Sequence, residues 1–194
     1  MKHRSRPPHR RIVTLQVQAL SQRATRGRLN IAGRTFPCAL GRSGSRALKR
    51  EGDGGTPIGL WPLVRVLYRR DRIQRPRTSL PVKAIRSNDG WCDASLDLNY
   101  NRPVRLPYPA STEQLWRQDA VYDIVVVLDH NTRPRNRGGG SAIFMHLARP
   151  DFSPTEGCIA LSLSAMRHVL THATVTTRVY IHTRGSQIKN GPVL

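Results

Sequence analysis

Two residues stand in a setting that invites chemistry. His146 closes the apolar run Ser141-Ala142-Ile143-Phe144-Met145-His146, and twelve residues later Cys158 follows a glycine in Thr155-Glu156-Gly157-Cys158. An unperturbed cysteine is only a few per cent thiolate at neutral pH, so a thiol used as a nucleophile needs a base. An imidazole fills that role: it takes the thiol proton, stabilises the thiolate as an ion pair, and returns the proton to a leaving amine. Gly157 supplies a second requirement, since a residue without a side chain lets backbone N–H groups close on a developing oxyanion. The same residues also fit a plain reading, with His146 a satisfied core histidine and Cys158 a small buried hydrophobe.

The elements that must position this pair read mainly as strands. After a basic tail over residues 1–11, residues 12–194 form one domain. Residues 12–20 and 27–40 supply two or three opening strands joined by polar turns. Gly52 to Gly59 holds four glycines and a proline in eight residues, a loop with unusual dihedrals. It is not a phosphate loop, because no Gly-Lys-Ser/Thr follows. Leu60 to Tyr68 has a strand period, and Ser111 to Trp116 has the cap-like composition of a short helical turn. Tyr122 to Asp129 is a β-branched run bounded by polar residues, the clearest buried strand. Arg133 to Gly140 reads as a mobile basic loop leading into a strand over Ser141 to Leu147, so His146 sits at a strand end.

Beyond Cys158, Ser162 or Ser164 caps a helix running to about Ala173, with Met166, Val169, Leu170 and Ala173 on one face. His168 and His172 fall on the opposite, solvent-facing side. They lack the Glu-containing signature of a zinc site, so no metal is expected there. Thr176 to Thr183 closes the domain as a strand. The sum is a mainly β, sandwich-like fold with one main helix following the cysteine.

A net charge of +20 favours polyanionic or multiply carboxylated partners. Specific nucleic-acid binding is not expected, because the arginines are spread along the chain, no binding motif is visible, and aromatic residues make up only 6%. Three cysteines, Cys38, Cys92 and Cys158, cannot all pair within the chain, so no disulfide framework is expected. Cys38 and Cys92 read as packed hydrophobes, and Trp61, Trp91 and Trp116 as core or edge residues. Asp93 and Tyr100-Asn101-Arg102 lie in a polar loop that is a candidate lining of the cleft. No apolar run reaches membrane-spanning length, and the strand-like alternation after the basic tail is not that of an export signal. The expectation is a cytoplasmic monomer with no transmembrane segment.

The string from His146 to Leu161, ending Thr155-Glu156-Gly157-Cys158-Ile159-Ala160-Leu161, resembles the signature of the L,D-transpeptidase catalytic domain (YkuD) family. That signature is a histidine, a variable spacer, then Ser/Thr-x-Gly-Cys. Lys49 to Gly59 is similar to the family's Gly-x-x-x-Thr-Pro-x-Gly stretch. The resemblance implies a YkuD-like sandwich. It also implies Cys158 as acyl-accepting nucleophile, His146 as base, Gly157 with the Cys158 backbone in the oxyanion site, and Thr155 in an orienting role. Ala160 departs from the pattern, since many members carry Arg or Asn there, and this marks a divergent subgroup.

The implied substrate is a peptidoglycan tetrapeptide stem or its muropeptide precursor, which loses its terminal D-alanine through a thioester, with no metal or organic cofactor. Stem carboxylates would pair with arginines such as Arg149, Arg102 or Arg86. A cytoplasmic member would act on precursors or recycled fragments. The alternatives are an L,D-carboxypeptidase or amidase that uses water as acceptor, and a non-catalytic basic module binding cell-wall or nucleic-acid polyanions.

Overall fold

The computed structural model describes residues 13–184, and the basic tail expected over residues 1–11 lies outside the described residues. β1 (Thr14–Ala19), β2 (Arg26–Ile31) and β3 (Arg34–Ala39) form an antiparallel meander. In β1 every second residue is buried, the alternation of a strand with one face on a core. Short β4 (Ser45–Arg46) and β5 (Thr56–Pro57) pair in parallel and bracket the glycine-rich loop. Next come β6 (Gly59–Tyr68), β7 (Val82–Ala84), β8 (Asp89–Cys92), β9 (Arg102–Arg105) and β10 (Thr112–Gln114). β11 (Ile124–Leu128), β12 (Phe144–Leu147), β13 (Ile159–Leu161), helix α1 (Leu163–His172) and β14 (Arg178–Thr183) complete the described chain.

The main sheet runs β11-β12-β13-β3-β2-β1-β14-β6-β7, and β6 also pairs with β11. Eight strands therefore join in a ring, with β7 outside it. Each strand of the ring sends residues to one inner cluster, from Leu15, Leu29 and Cys38 through Val66, Val126, Met145 and Ile159 to Val179. Helix α1 adds Ala165, Met166, Val169 and Leu170 to the same cluster. Its start is set by Ser162, whose side chain accepts from Ala165 N–H.

A second layer, the three-stranded sheet β10-β8-β9, packs on the outside of β11 and β12. Trp91 and Leu115 meet Val125, Val127 and Phe144 there, with the Trp91 and Phe144 rings edge to face at 5.2 Å. This two-sided cover explains why all five residues of β11 are buried: Ile124, Val126 and Leu128 face inward, Val125 and Val127 outward. The sandwich expected from the sequence thus takes the form of a closed sheet carrying a small outer sheet.

Three local expectations are corrected. Residues 111–116 hold no helical turn: Thr112–Gln114 pairs with Cys92, Trp91 and Gly90, so strand pairing overrides a weak cap signal. The strand expected from Ser141 begins only at Phe144, because Ala142 takes a left-handed φ of 50°. Residues 133–140, expected to be mobile, are tied down. Asn131 Nδ2 donates to the carbonyls of Asn136 and Gly140, and Arg135 Nη1 donates to Tyr100 O at 2.7 Å.

Candidate active site

β12 and β13 lie side by side in parallel, with Met145 opposite Ile159, His146 opposite Ala160 and Leu147 opposite Leu161. Met145, Leu147, Ile159 and Leu161 enter the inner cluster. Strand alternation therefore turns Phe144 and His146 outward, with Cys158 and Ala160 beside them. Phe144 and Cys158 belong to the outer cluster, and the His146 ring packs on Tyr122 of that cluster at 5.3 Å. The two residues 12 positions apart thus share one face, beneath the β8–β10 layer.

Cys158 is buried, and its sulfur is bonded to backbone on both sides. Its S–H donates to Ala142 O at 3.3 Å, and it accepts from Phe144 N–H at 3.4 Å. Burial pushes the thiol up to about 12, against the Phe144 amide, which favours the thiolate. His146 Nδ1 lies 2.9 Å from Leu147 O. A carbonyl can only accept, so Nδ1 carries the ring hydrogen and Nε2 is the free base. Burial pulls the imidazole down to about 4, and the positive charges of Arg117 and Arg149 add to this. No hydrogen bond joins ring and sulfur. Burial thus favours the neutral form of both groups in this arrangement.

The loop before the cysteine is built on the earlier glycine-rich stretch. Gly157 has φ 129°, and a Cβ there would sit 2.7 Å from Gly55 O. Only glycine fits both the dihedral and the space. Thr155 Oγ1 donates to Cys158 O at 2.8 Å and accepts from Gly157 N–H at 3.2 Å. Thr155 backbone also bonds Leu40 O and Arg42 N–H. Thr56 Oγ1 accepts from Gly41 N–H at 2.8 Å, so β5 and the β3–β4 turn brace the same loop. Thr155 closes the turn, and the Gly157 amide is committed to it rather than facing open space.

Around the histidine lies a charged cluster that spacing did not reveal. The Arg117 guanidinium lies over the Tyr122 ring at 5.2 Å, bonds Asp119 at 2.8 Å, and pairs with Glu113 at 3.2 Å. In the sequence Glu113 falls within the expected helical turn and Tyr122 at the start of the buried strand, and neither signals this cluster. Of the three arginines singled out, Arg149 lies 3.8 Å from Asp119 and acts on His146. Arg102 lines a separate cleft of about 530 Å³ with Trp91 and Asn101, and Arg86 one of about 570 Å³ with Arg70, Lys83 and Trp116. Asn101 is buried, bonded to Trp91 and Ala142.

Cys38 and Cys92 are buried free thiols, and burial pushes Cys38 up to about 12. His168 does not simply face water: its ring packs against Phe36 at 5.2 Å and His172 at 4.3 Å. Among the described residues no group of three His, Cys, Asp or Glu side chains is placed to hold a metal ion, and no helix is long and apolar enough to cross a membrane.

Comparison with known proteins agrees with the motifs. A search of curated proteins finds no match. Among solved structures, L,D-transpeptidase 1 of Mycobacterium tuberculosis is similar at 17% identity and a TM-score of 0.37, over 87% of this chain and 62% of that one. The chain therefore spans less than two thirds of that protein's length. The model of the L,D-transpeptidase catalytic domain matches residues 15–181, from β1 to β14 and across both motifs. With His146 and Cys158 on one face of the matched sheet, the chain belongs to the L,D-transpeptidase catalytic domain (YkuD) family.

Proposed function

We propose that the chain is a cysteine acyltransferase acting on peptidoglycan tetrapeptide stems. The observation that supports this reading is the placement of Cys158 and His146 on one face of adjacent parallel strands, in a chain of this family. His146 Nε2, left free by the Nδ1 contact with Leu147 O, takes the thiol proton once the S–H leaves the Ala142 carbonyl. The thiolate attacks the carbonyl carbon of the third, L-centred stem residue. The C–N bond to D-alanine breaks, the leaving amine takes the proton from Nε2, and a thioester remains. An amine of a second stem then attacks the thioester, Nε2 accepts its proton, and the sulfur departs to leave a cross-link. Water in place of that amine gives a tripeptide. Arg149, whose charge acts on His146, is the arginine we assign to pair with a stem carboxylate.

Incubation with a disaccharide tetrapeptide, read by mass spectrometry, tests this. A cross-linked dimer with loss of one D-alanine is expected from the wild type, and neither dimer nor tripeptide from Cys158→Ala. Tripeptide alone assigns the hydrolytic reaction. An unchanged substrate with no acyl adduct on Cys158 overturns both enzyme readings and favours a binding role.

A further inference from the structure

The thiol hydrogen of Cys158 is held by a backbone carbonyl, and that carbonyl belongs to a residue in an uncommon conformation. Ala142, with φ 50°, is not a glycine, and its place in the chain must be over-determined by neighbours. The neighbour is Asn101, itself 5% exposed and left-handed at φ 55°. Its Oδ1 accepts from Ala142 N–H at 3.1 Å and from Trp91 Nε1–H at 2.9 Å. Its Nδ2 donates to His130 O at 3.0 Å and Asn131 O at 2.8 Å. Two donors and two acceptors are all that a carboxamide offers, so this side chain is fully used. It ties the outer sheet, through Trp91, to both ends of the β11–β12 loop, whose Ala142 carbonyl touches the cysteine sulfur.

We propose that Asn101 is a positioning residue for Cys158, holding the Ala142 carbonyl against the sulfur so that the thiol hydrogen rests there and not on His146. A buried thiol has one hydrogen to give, and while Ala142 O receives it the ring does not. Ionisation would leave the sulfur facing a carbonyl lone pair, with Phe144 N–H as its hydrogen-bond donor and Lys49 acting from a distance. Asn101 therefore favours the resting, protonated state, and movement of the Ala142 peptide is the step that frees the nucleophile. The inference rests on the reading of Cys158 as the nucleophile, but its test needs no substrate.

The S–H stretching band of Cys158, isolated as the infrared difference between each protein and its Cys158→Ala counterpart, reports the thiol's bond directly. Asn101→Gly removes the side chain while favouring the left-handed backbone. It is expected to move the band to the higher frequency of an unbonded thiol, and to speed iodoacetamide labelling of Cys158 at pH 8 about tenfold, equivalent to one pKa unit. Asn101→Asp keeps the oxygen that binds Ala142 N–H and Trp91, and is expected to keep the band in place. Asn131→Ala loosens the same loop through its bonds to Asn136 O and Gly140 O without touching Ala142, and is also expected to leave the band unmoved. Should Asn101→Gly fail to fold, Asn101→Ser, too short to span these partners, is expected to give the same shift. A band unmoved in the folded Asn101 variant, or moved equally in Asn131→Ala, overturns the proposal. Loss of tetrapeptide turnover in the wild type would bear on the proposed function and not on this bond.

Discussion

His146 and Cys158 face the same outer layer from neighbouring parallel strands, yet each is bonded to backbone and not to the other: the sulfur to Ala142 O, the ring to Leu147 O. Both groups are buried, and burial drives the thiol up and the imidazole down, each towards its neutral form.

Acid should weaken the fold through His146. Its folded pKa of about 4 lies below the ordinary value of 6.5, so the unfolded chain binds more protons between these limits. Stability is full above about pH 6.5 and is lost as pH falls towards 4, by roughly 3 kcal/mol for a group of this shift. Thermal melts of wild type and His146→Gln across pH 4 to 7 check this. The variant is expected to show a flatter profile, and His130, also lowered by burial, accounts for part of what remains.

Replacing Gly157 with alanine should be among the most damaging single changes near the site. The new Cβ would meet Gly55 backbone oxygen at 2.7 Å while the residue sits at φ 129°. A cost of roughly 2 to 3 kcal/mol is expected, together with loss of turnover. Gly138→Ala is the comparison, because nothing lies within 4 Å of its Cβ and only the dihedral, 76°, opposes it. Unfolding free energies from denaturant titration of the two variants should differ by more than about 1 kcal/mol.

Thr155 should matter through its hydroxyl. Thr155→Val keeps the shape and removes the bonds to Cys158 O and Gly157 N, leaving buried polar groups unpaired at a cost of about 1 to 3 kcal/mol. Thr155→Ser is expected to recover most of the lost stability and turnover. If valine is tolerated as well as serine, the turn does not depend on that hydroxyl.

The three arginines named from the sequence should separate in a titration. Arg149 lowers His146, whereas Arg86 and Arg102 line other clefts. Arg149→Gln is therefore expected to raise the His146 pKa, followed by nuclear magnetic resonance of the ring protons, while Arg86→Gln and Arg102→Gln leave it in place.

What the sequence determined by itself is local. A serine cap at Ser162 or Ser164, the buried helix face through Met166 and Leu170, and an apolar strand through Ile124 to Leu128 follow from neighbours within a turn or a strand. The Thr-Glu-Gly-Cys motif, with the histidine upstream of it, follows in the same way. Tertiary structure alone decided that β6 closes the sheet on β11, that Thr112 to Gln114 pairs as a strand, and that Gly55 underlies Gly157. It also decided that Ala142, whose N–H is bound by Asn101 from 41 positions away, offers its carbonyl to the Cys158 hydrogen. Periodicity and capping record which atoms a residue meets along its own element, whereas a left-handed carbonyl aimed at a sulfur depends on contacts made only after distant strands have packed.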